Sequence, residues 1–350
     1  AFATPMIAVY NRSNRYYVRL AQDYVSGAVE CSCTYYDTVI VSNGPYSWHG
    51  HNYTQAGDYM EAVVNNAGCD SIISFSLLIN ESGTLDSLFS VGVDKKVYFS
   101  RGNLQYQAAH DIWRFGMYQY DYLGTDNQYI SDTNHRWMDL FGFGTSGYHD
   151  PSDHLNVYYK PTSTSTSSYY GPSPNMGEQS LVNDSRNYDW GQYNPIANGG
   201  NQPGQWRTLT TNEWYYLLRT RTNASSLRRD CTINGVFGLL LLPDNWTQPD
   251  GFYFNTENVY EGPDWELLEN SGAVFLPAAG YRYNKNISGQ GEYYYYWSSS
   301  SYPYSSSAHP MYLYVYYYGS MAIGIDPTPT SPDYTQSRYY GCSVRLVKDY

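Results

Sequence analysis

Few residues in this chain have the type and spacing that catalysis or metal binding needs. Cys31, Cys33 and Cys69 cluster in the first quarter, while Cys231 and Cys342 stand alone. The C-x-C pair has no second Cys pair or His at zinc-ligand spacing, so it is a poor metal signal. One disulfide to Cys69 would suit an exported protein. The seven histidines, including His49, His51, His110 and His135, show no metal-ligand spacing either. Structural or surface roles are their default. Neither a cofactor nor a metal is expected.

What the chain offers instead is phenol. Residues 292–320 read EYYYYWSSSSYPYSSSAHPMYLYVYYYGS, with eleven tyrosines and eight serines among 29 residues. From Tyr293 to Tyr340 there is no Lys and no Glu, and the only formal charges are Asp326, Asp333 and Arg338. A solvated sheet would carry both missing residues. A Tyr/Ser/Gly surface is what antibody-like paratopes use, because tyrosine gives rigid amphipathic area and serine gives adaptable polar contact. Interfaces are likewise enriched in Tyr and depleted in Lys and Glu. The chemistry on offer is recognition.

The elements that must position these phenols can be read from periodicity. In HPMYLYVYYYG, Met311, Leu313 and Val315 alternate with Tyr312, Tyr314 and Tyr316, a period of two that puts aliphatics on one face of a strand and phenols on the other. Thr210 and Glu213 form a capping box ahead of a helix whose apolar face is Trp214, Leu217 and Leu218. FGLLLLP (237–243) is a buried strand, and PDWELLENSG (263–272) a short helix ending near Gly272. Residues 1–90 read as a small all-β, sandwich-like module built on DTVIV (37–41), GDYMEAVV (57–64) and SIISFSLLI (71–79), with ESGTLDS (81–87) as the hinge out of it. Residues 91–350 read as an α+β domain.

Charge and hydropathy exclude several classes. A net charge of −12 argues against nucleic acid, and no apolar run is long enough for a membrane span. The chain opens AFATP with no leader, which a removed signal peptide or a shortened chain would each explain.

Two resemblances follow from particular motifs. YSWHGHNYTQAGDY (46–59) with NNAGCDSIISFSLLI (65–79) resembles a repeat module of bacterial surface proteins, which implies a spacer. In that module a Cys before the Trp segment pairs with the later one. Ser42 stands near that place here, so a bridge from Cys69 goes to Cys31 or Cys33, or is not made. VYFSRGNLQYQ (97–107), GQWRTLTTNEWYYLLRTR (204–221), INGVFGLLLLPDNW (233–246), GAVFLPAAGYR (272–282), YYWSSSS (295–301) and RYYGCSVRLV (338–347) fall in the order seen in variable proteins of diversity-generating retroelements. That resemblance spans about residues 93–350. It implies a C-type-lectin fold related to formylglycine-generating enzyme, with the C-terminal strand paired to KKVYFS.

The resemblance also implies which residues vary. Adenine mutagenesis of AAC-type codons yields Tyr, Ser, Asn and others, but never Lys or Glu. Trp297, Met311, Met321 and Gln336 are then scaffold. The variable, ligand-binding positions become Tyr294 and Tyr295; Tyr302 and Tyr304; Tyr312, Tyr314 and Tyr316; and Tyr339 and Tyr340, with Ser299, Ser300, Tyr318 and Tyr334 completing the set. Cys342 stands where the family has Phe. The enzymatic relative works through a close cysteine pair, which Cys231 and Cys342 do not supply, so no enzyme activity is expected. Gln248-Pro249-Asp250 lacks the Trp-Asn-Asp strand of a calcium-dependent lectin and reads as a turn.

The implied protein is an exported, surface-displayed adhesin for a host-cell, bacterial or viral surface protein or glycan. Its N-terminal module would join a pilus or other surface assembly. The alternatives are a phage receptor-binding protein carried on the virion, and a lectin of fixed specificity.

Overall fold

The computed structural model describes residues 35–64, 70–150, 159–166, 170, 181–183, 186–301, 310–313 and 336–350. Among the described residues the chain is mixed α+β, with several small sheets and few, short helices, none long and apolar enough to cross a membrane. It divides into two compact units, Ala1–Leu78 and Ile79–Tyr350. The boundary therefore precedes the expected one at residue 90. The stretch read as a hinge enters a strand of the second unit, because Leu88 and Phe89 pair with Tyr98 and Val97.

The described part of the first unit is all-β. Strands β1 (Tyr35–Ser42), β2 (Tyr46–Trp48), β3 (His51–Tyr53), β4 (Gly57–Val64) and β5 (Asp70–Ile79) follow one another. β5 lies between β1 and β4 in one sheet, and β2 pairs with β3. His49 and Gly50 both have positive φ (46° and 83°), as a tight hairpin turn between β2 and β3 requires. Tyr46, Trp48, Tyr53 and Tyr59 gather round Phe75, with ring centroids 5.1–6.1 Å away. Cys31, Cys33 and Cys69 lie outside the described residues.

The second unit begins with β6 (Thr84–Gly92) and β7 (Lys95–Ser100), then β8 (Leu104–Gln107), β9 (Ile112–Phe115) and β10 (Trp137–Met138). The short pair β11 (Val182–Asn183) and β12 (Arg186–Asn187) precedes helix α1 (Trp190–Tyr193) and β13 (Arg207–Thr208). Helix α2 (Thr211–Tyr215) starts at the expected capping box: the Thr210 hydroxyl accepts from the Glu213 N–H and the Glu213 carboxylate accepts from the Thr210 N–H. It widens into a π-helical turn over Tyr216–Thr220 and buries Trp214, Leu217 and Leu218. Then come β14 (Arg228–Ile233), β15 (Val236–Leu241), β16 (Val259–Tyr260), α3 (Pro263–Asn270) and β17 (Val274–Pro277). The chain closes with β18 (Tyr281–Tyr283), β19 (Asn286–Ser288), β20 (Tyr296–Ser301), β21 (Pro310–Leu313) and β22 (Leu346–Asp349).

Two four-stranded sheets organise these elements, in the orders β13-β22-β7-β6 and β16-β14-β15-β17. Phe89, Val97, Phe99, Trp214, Leu217, Leu239, Leu241 and Leu276 form one core across them. The C-terminal strand pairs with KKVYFS, Val347 opposite Phe99 and Asp349 opposite Val97. It starts later than SVRLV suggests, at Leu346, because Cys342 and Ser343 make single bridges to Phe141 and Tyr296 instead.

A charge cluster clamps this closing strand. Arg207 on β13 makes a two-pronged contact with Glu213 (2.7 and 2.8 Å) and reaches Asp349 on β22 at 2.6 Å, while Lys95 on β7 meets Glu213 at 2.5 Å. Burial alone would raise the Glu213 carboxyl, but the Arg207 and Lys95 contacts hold it below the usual range. Hydrogen bonds from Arg207 likewise hold Asp349 low. Carboxyls depressed in the folded state stabilise it fully above their unfolded value, about pH 4, and that contribution is lost as pH falls through the folded values. Thermal melts across pH should therefore show stability falling below about pH 4. Arg207→Ala should cost about 3 kcal/mol at neutral pH, since it strips a partner from a buried carboxylate, and should flatten the acid limb. An unchanged acid limb would rule out the clamp.

Candidate functional site

The run Tyr293-Tyr294-Tyr295-Tyr296 leads into β20, and its extended backbone sends alternate side chains to opposite sides. Tyr294 and Tyr296 go inward, each 0% exposed. The Tyr294 hydroxyl donates to Asp230 at 2.6 Å, and the Tyr296 hydroxyl accepts from the Asn103 amide at 2.9 Å. Burial, reinforced by Asp230, pushes the Tyr294 phenol well up. Tyr293 and Tyr295 turn to the other side.

Those two join four more tyrosines from two other segments. Tyr295 meets Tyr281 at 5.4 Å between centroids and Tyr293 at 6.0 Å. Tyr340 meets Tyr281 at 5.4 Å and Tyr283 at 5.3 Å. Tyr339 stacks on Tyr340 at 5.2 Å with 27° between planes and touches Tyr283 at 5.8 Å. Burial, with the neighbouring phenols adding to it, raises the Tyr340 hydroxyl. The result is a continuous row of six phenols.

Local sequence explains how each segment is held. Tyr281 and Tyr283 occupy alternate positions of β18, so Arg282 between them turns inward, 1% exposed. Asn284, with φ of 55°, makes the turn to β19. The Arg282 guanidinium donates to the carbonyls of Leu140, Ser163 and Asn284, and burial brings its pKa down to about 10, so it stays cationic at neutral pH. Tyr339 and Tyr340 sit in a turn anchored at both ends. Arg338 is buried, donates to the Tyr170 carbonyl at 2.9 Å and lies over the Phe143 ring. Gly341 exchanges backbone hydrogen bonds with Arg282 at 2.7 and 2.8 Å. A Cβ at Gly341 would lie 2.9 Å from the Arg282 Cβ and 3.0 Å from the Leu140 carbonyl, so only glycine permits that approach.

Several expected site residues are thereby corrected. Tyr294 is core, since its side of the strand faces Asp230 and Phe237. Ser299 is 5% exposed, because its backbone is held between Leu209 and Leu181. The Ser300 hydroxyl accepts from the Thr211 N–H at the start of α2, a structural bond. Tyr295 reaches the phenol row but is only 9% exposed. Tyr339 and Tyr340 are half-buried members of it. Tyr312 pairs with Trp297 through the backbone. Tyr302, Tyr304, Tyr314, Tyr316, Tyr318 and Tyr334 lie outside the described residues. Trp297 is scaffold as expected, fully buried with its indole N–H donated to the Phe141 carbonyl.

Sequence reasoning missed Tyr281, Tyr283 and Tyr293. The signal was present: Tyr-x-Tyr before Asn-Lys reads as one face of a hairpin strand.

Other chemistry is scarce. Cys342 is buried in the apolar cluster around Trp113 and Trp297, and burial raises its thiol and that of Cys231. Both are poor nucleophiles. Among the described residues no three His, Cys, Asp or Glu side chains gather as metal ligands. Gln248-Pro249-Asp250 forms a turn closed by the Phe252 N–H on the Pro249 carbonyl. A cleft of about 260 Å³ lined by Asp86, Lys96, Tyr98 and Asp244 lies apart from the phenol row; its Asp244 carboxylate is taken up by Ser90 and Arg221. No family model matches the chain, and no curated protein or solved structure is significantly similar to it.

The two tyrosine environments predict opposite outcomes for one change. Tyr294→Ser should destabilise the second unit by about 3 kcal/mol, as loss of a buried aromatic ring does. Tyr339→Ser should cost less than about 1 kcal/mol. Equal effects in chemical denaturation would show that the two rings are not divided between core and surface.

Proposed function

We propose that the chain is an exported binding protein whose second unit, a C-type-lectin-fold domain like those of diversity-generating retroelement variable proteins, recognises a surface protein or glycan through tyrosines. The observation that carries this reading is the convergence of six phenols from three separate segments on one row. Tyr281, Tyr293, Tyr295 and Tyr340 also pack on the core around Trp113 and Trp297, but packing alone does not call for a hydroxyl on each ring, whereas paratopes are built from phenols. Tyrosine rings bury apolar area while their hydroxyls keep hydrogen bonds, so each well-covered ring contributes roughly 1–3 kcal/mol to binding. Pairing of the last strand with β7, near the start of the unit, also supports the fold assignment, because it ties the C-terminal end to the N-terminal part of the unit. The N-terminal unit serves as a spacer on a surface assembly such as a pilus.

Sequencing the 3′ end of the gene across sister isolates tests the diversification. Substitutions should concentrate in AAC-type codons, include positions 339 and 340, and spare Trp297, Arg282, Gly341 and now Tyr294. Uniform, mostly synonymous drift would defeat the idea. Neighbouring genes separate a cellular adhesin from a phage tail protein.

Recognition itself can be read on a glycan and protein array probed with the intact chain. The hits should be lost when Tyr312, Tyr314 and Tyr316 are changed together to Ala. Unchanged binding by that triple variant would remove those three from the binding face.

A further inference from the structure

We propose that Tyr281, Tyr283 and Tyr340, flanked by Asn286 and Ser288, form a shelf that takes a neutral oligosaccharide by ring stacking; this rests on reading the second unit as a binding domain. The shelf lies largely outside the stretch whose composition first pointed to recognition. Tyr340 is its centre, in contact with Tyr281 (5.4 Å), Tyr283 (5.3 Å) and Tyr339 (5.2 Å). The hairpin register sets Ser288 opposite Tyr281 and Asn286 opposite Tyr283. Directly opposed side chains share a face of the sheet, so an exposed hydroxyl and an exposed amide stand beside the rings. Arg282 points the other way and is buried.

The shelf therefore has no ionised side chain of its own. Phenol ring faces match the apolar C–H faces of pyranose rings, and the phenol, amide and hydroxyl groups can exchange hydrogen bonds with sugar hydroxyls. Acidic saccharides would meet a chain of net charge −12 and no cation among the five shelf residues; the nearby Lys285 stands in the turn at the end of the hairpin rather than on its ring face. A calcium-bridged sugar is disfavoured by donor chemistry, since calcium sites draw mainly on carboxylate oxygens and none of the five shelf residues carries one.

Size selects the ligand. Of the six rings only Tyr283, at 39%, is exposed; Tyr295 is nearly buried and the other four are half-buried, packed largely on one another. Even fully exposed, the three shelf tyrosine side chains would offer only about 450–750 Å², and these three are in part covered by one another. That is short of the roughly 800 Å² each partner gives a stable protein interface, whereas two or three sugar rings can cover them. The shelf is also preformed, its halves locked by the Gly341–Arg282 backbone pair, so little ordering cost opposes a small ligand.

The test titrates the intact chain calorimetrically with neutral hexasaccharides of glucose, mannose, galactose and N-acetylglucosamine, beside hexagalacturonate, with and without a chelator. At least one neutral hexamer should bind, chelator should change nothing, and hexagalacturonate should not bind. Tyr283→Ala should weaken binding about tenfold or more (each tenfold is 1.4 kcal/mol). Tyr283→Phe, which keeps the ring, should retain most of the affinity. Tyr283 is the most exposed ring of the row, so an unchanged melt of its Ala variant keeps the comparison free of folding effects.

Failure of all four neutral hexamers to bind, loss of binding with chelator, or indifference to Tyr283→Ala would each overturn the shelf. The broader reading can survive that. An array hit abolished by the Tyr312/Tyr314/Tyr316 variant but untouched by Tyr283→Ala would leave a binding domain without this shelf. A protein hit abolished by Tyr283→Ala would overturn the saccharide assignment alone.

Discussion

The second unit depends on the segment from Arg338 to Asp349, which runs through its interior and is hydrogen-bonded along most of its length. The Arg338 carbonyl accepts from Phe143, Gly341 pairs with Arg282, and Cys342 pairs with Phe141. Ser343 bonds to the backbone of Tyr295 and Trp297, and the Val344 carbonyl accepts from Leu104. Beyond it, β22 lies between β13 and β7. Both β18 and the run into β20, which carry four of the six phenols, are thus registered against one continuous stretch. Because these partners are backbone groups, the side chains of Tyr339 and Tyr340 can change without removing a single one of them.

The buried arginines belong to the same design. Arg282 and Arg345 are 1% and 0% exposed, and among the described residues neither meets a carboxylate. Arg345 instead reaches Asn103, Phe275 and Gln119 oxygens, and burial takes its pKa down to about 10. An isolated buried cation is costly unless its protons are satisfied, and guanidinium spreads five donors over carbonyls lying in different directions. Lysine could not span them. These side chains therefore staple loops with little regular structure, doing from the inside what longer strands would do elsewhere.

Much of the frame was legible in the sequence because it is written in local codes. The Thr210–Glu213 capping box, the apolar face of Trp214, Leu217 and Leu218, the buried strand before Pro243 and the helix from Pro263 follow from neighbours a few residues apart. What was not legible depends on contacts between distant segments. Nothing local says that Tyr281 and Tyr340, 59 positions apart by numbering, share a surface, or that Ser298 and Ser300 are bonded to Thr211. Residues 81–87 read locally as a hinge for the same reason: what makes part of them a strand is the pairing of β6 with β7, beyond the following turn.

The four consecutive tyrosines from 293 to 296 show why composition overstates a binding face. One residue type fills four positions, yet the two-residue period divides them between incompatible tasks. Tyr293 and Tyr295 join the phenol row while packing on the core cluster around Trp113 and Trp297, and Tyr295 keeps only 9% of its surface exposed. A phenol turned inward must find a protein partner or forfeit about 1–3 kcal/mol in lost hydrogen bonding, and Tyr294 and Tyr296 find theirs in Asp230 and Asn103. Such partners lie on β14 and just ahead of β8, so a change at 294 or 296 strands a group far away in sequence. A surface built to vary cannot draw on Tyr294 or Tyr296, and a tyrosine count has to be cut back to the rings that stay accessible before it is read as a paratope.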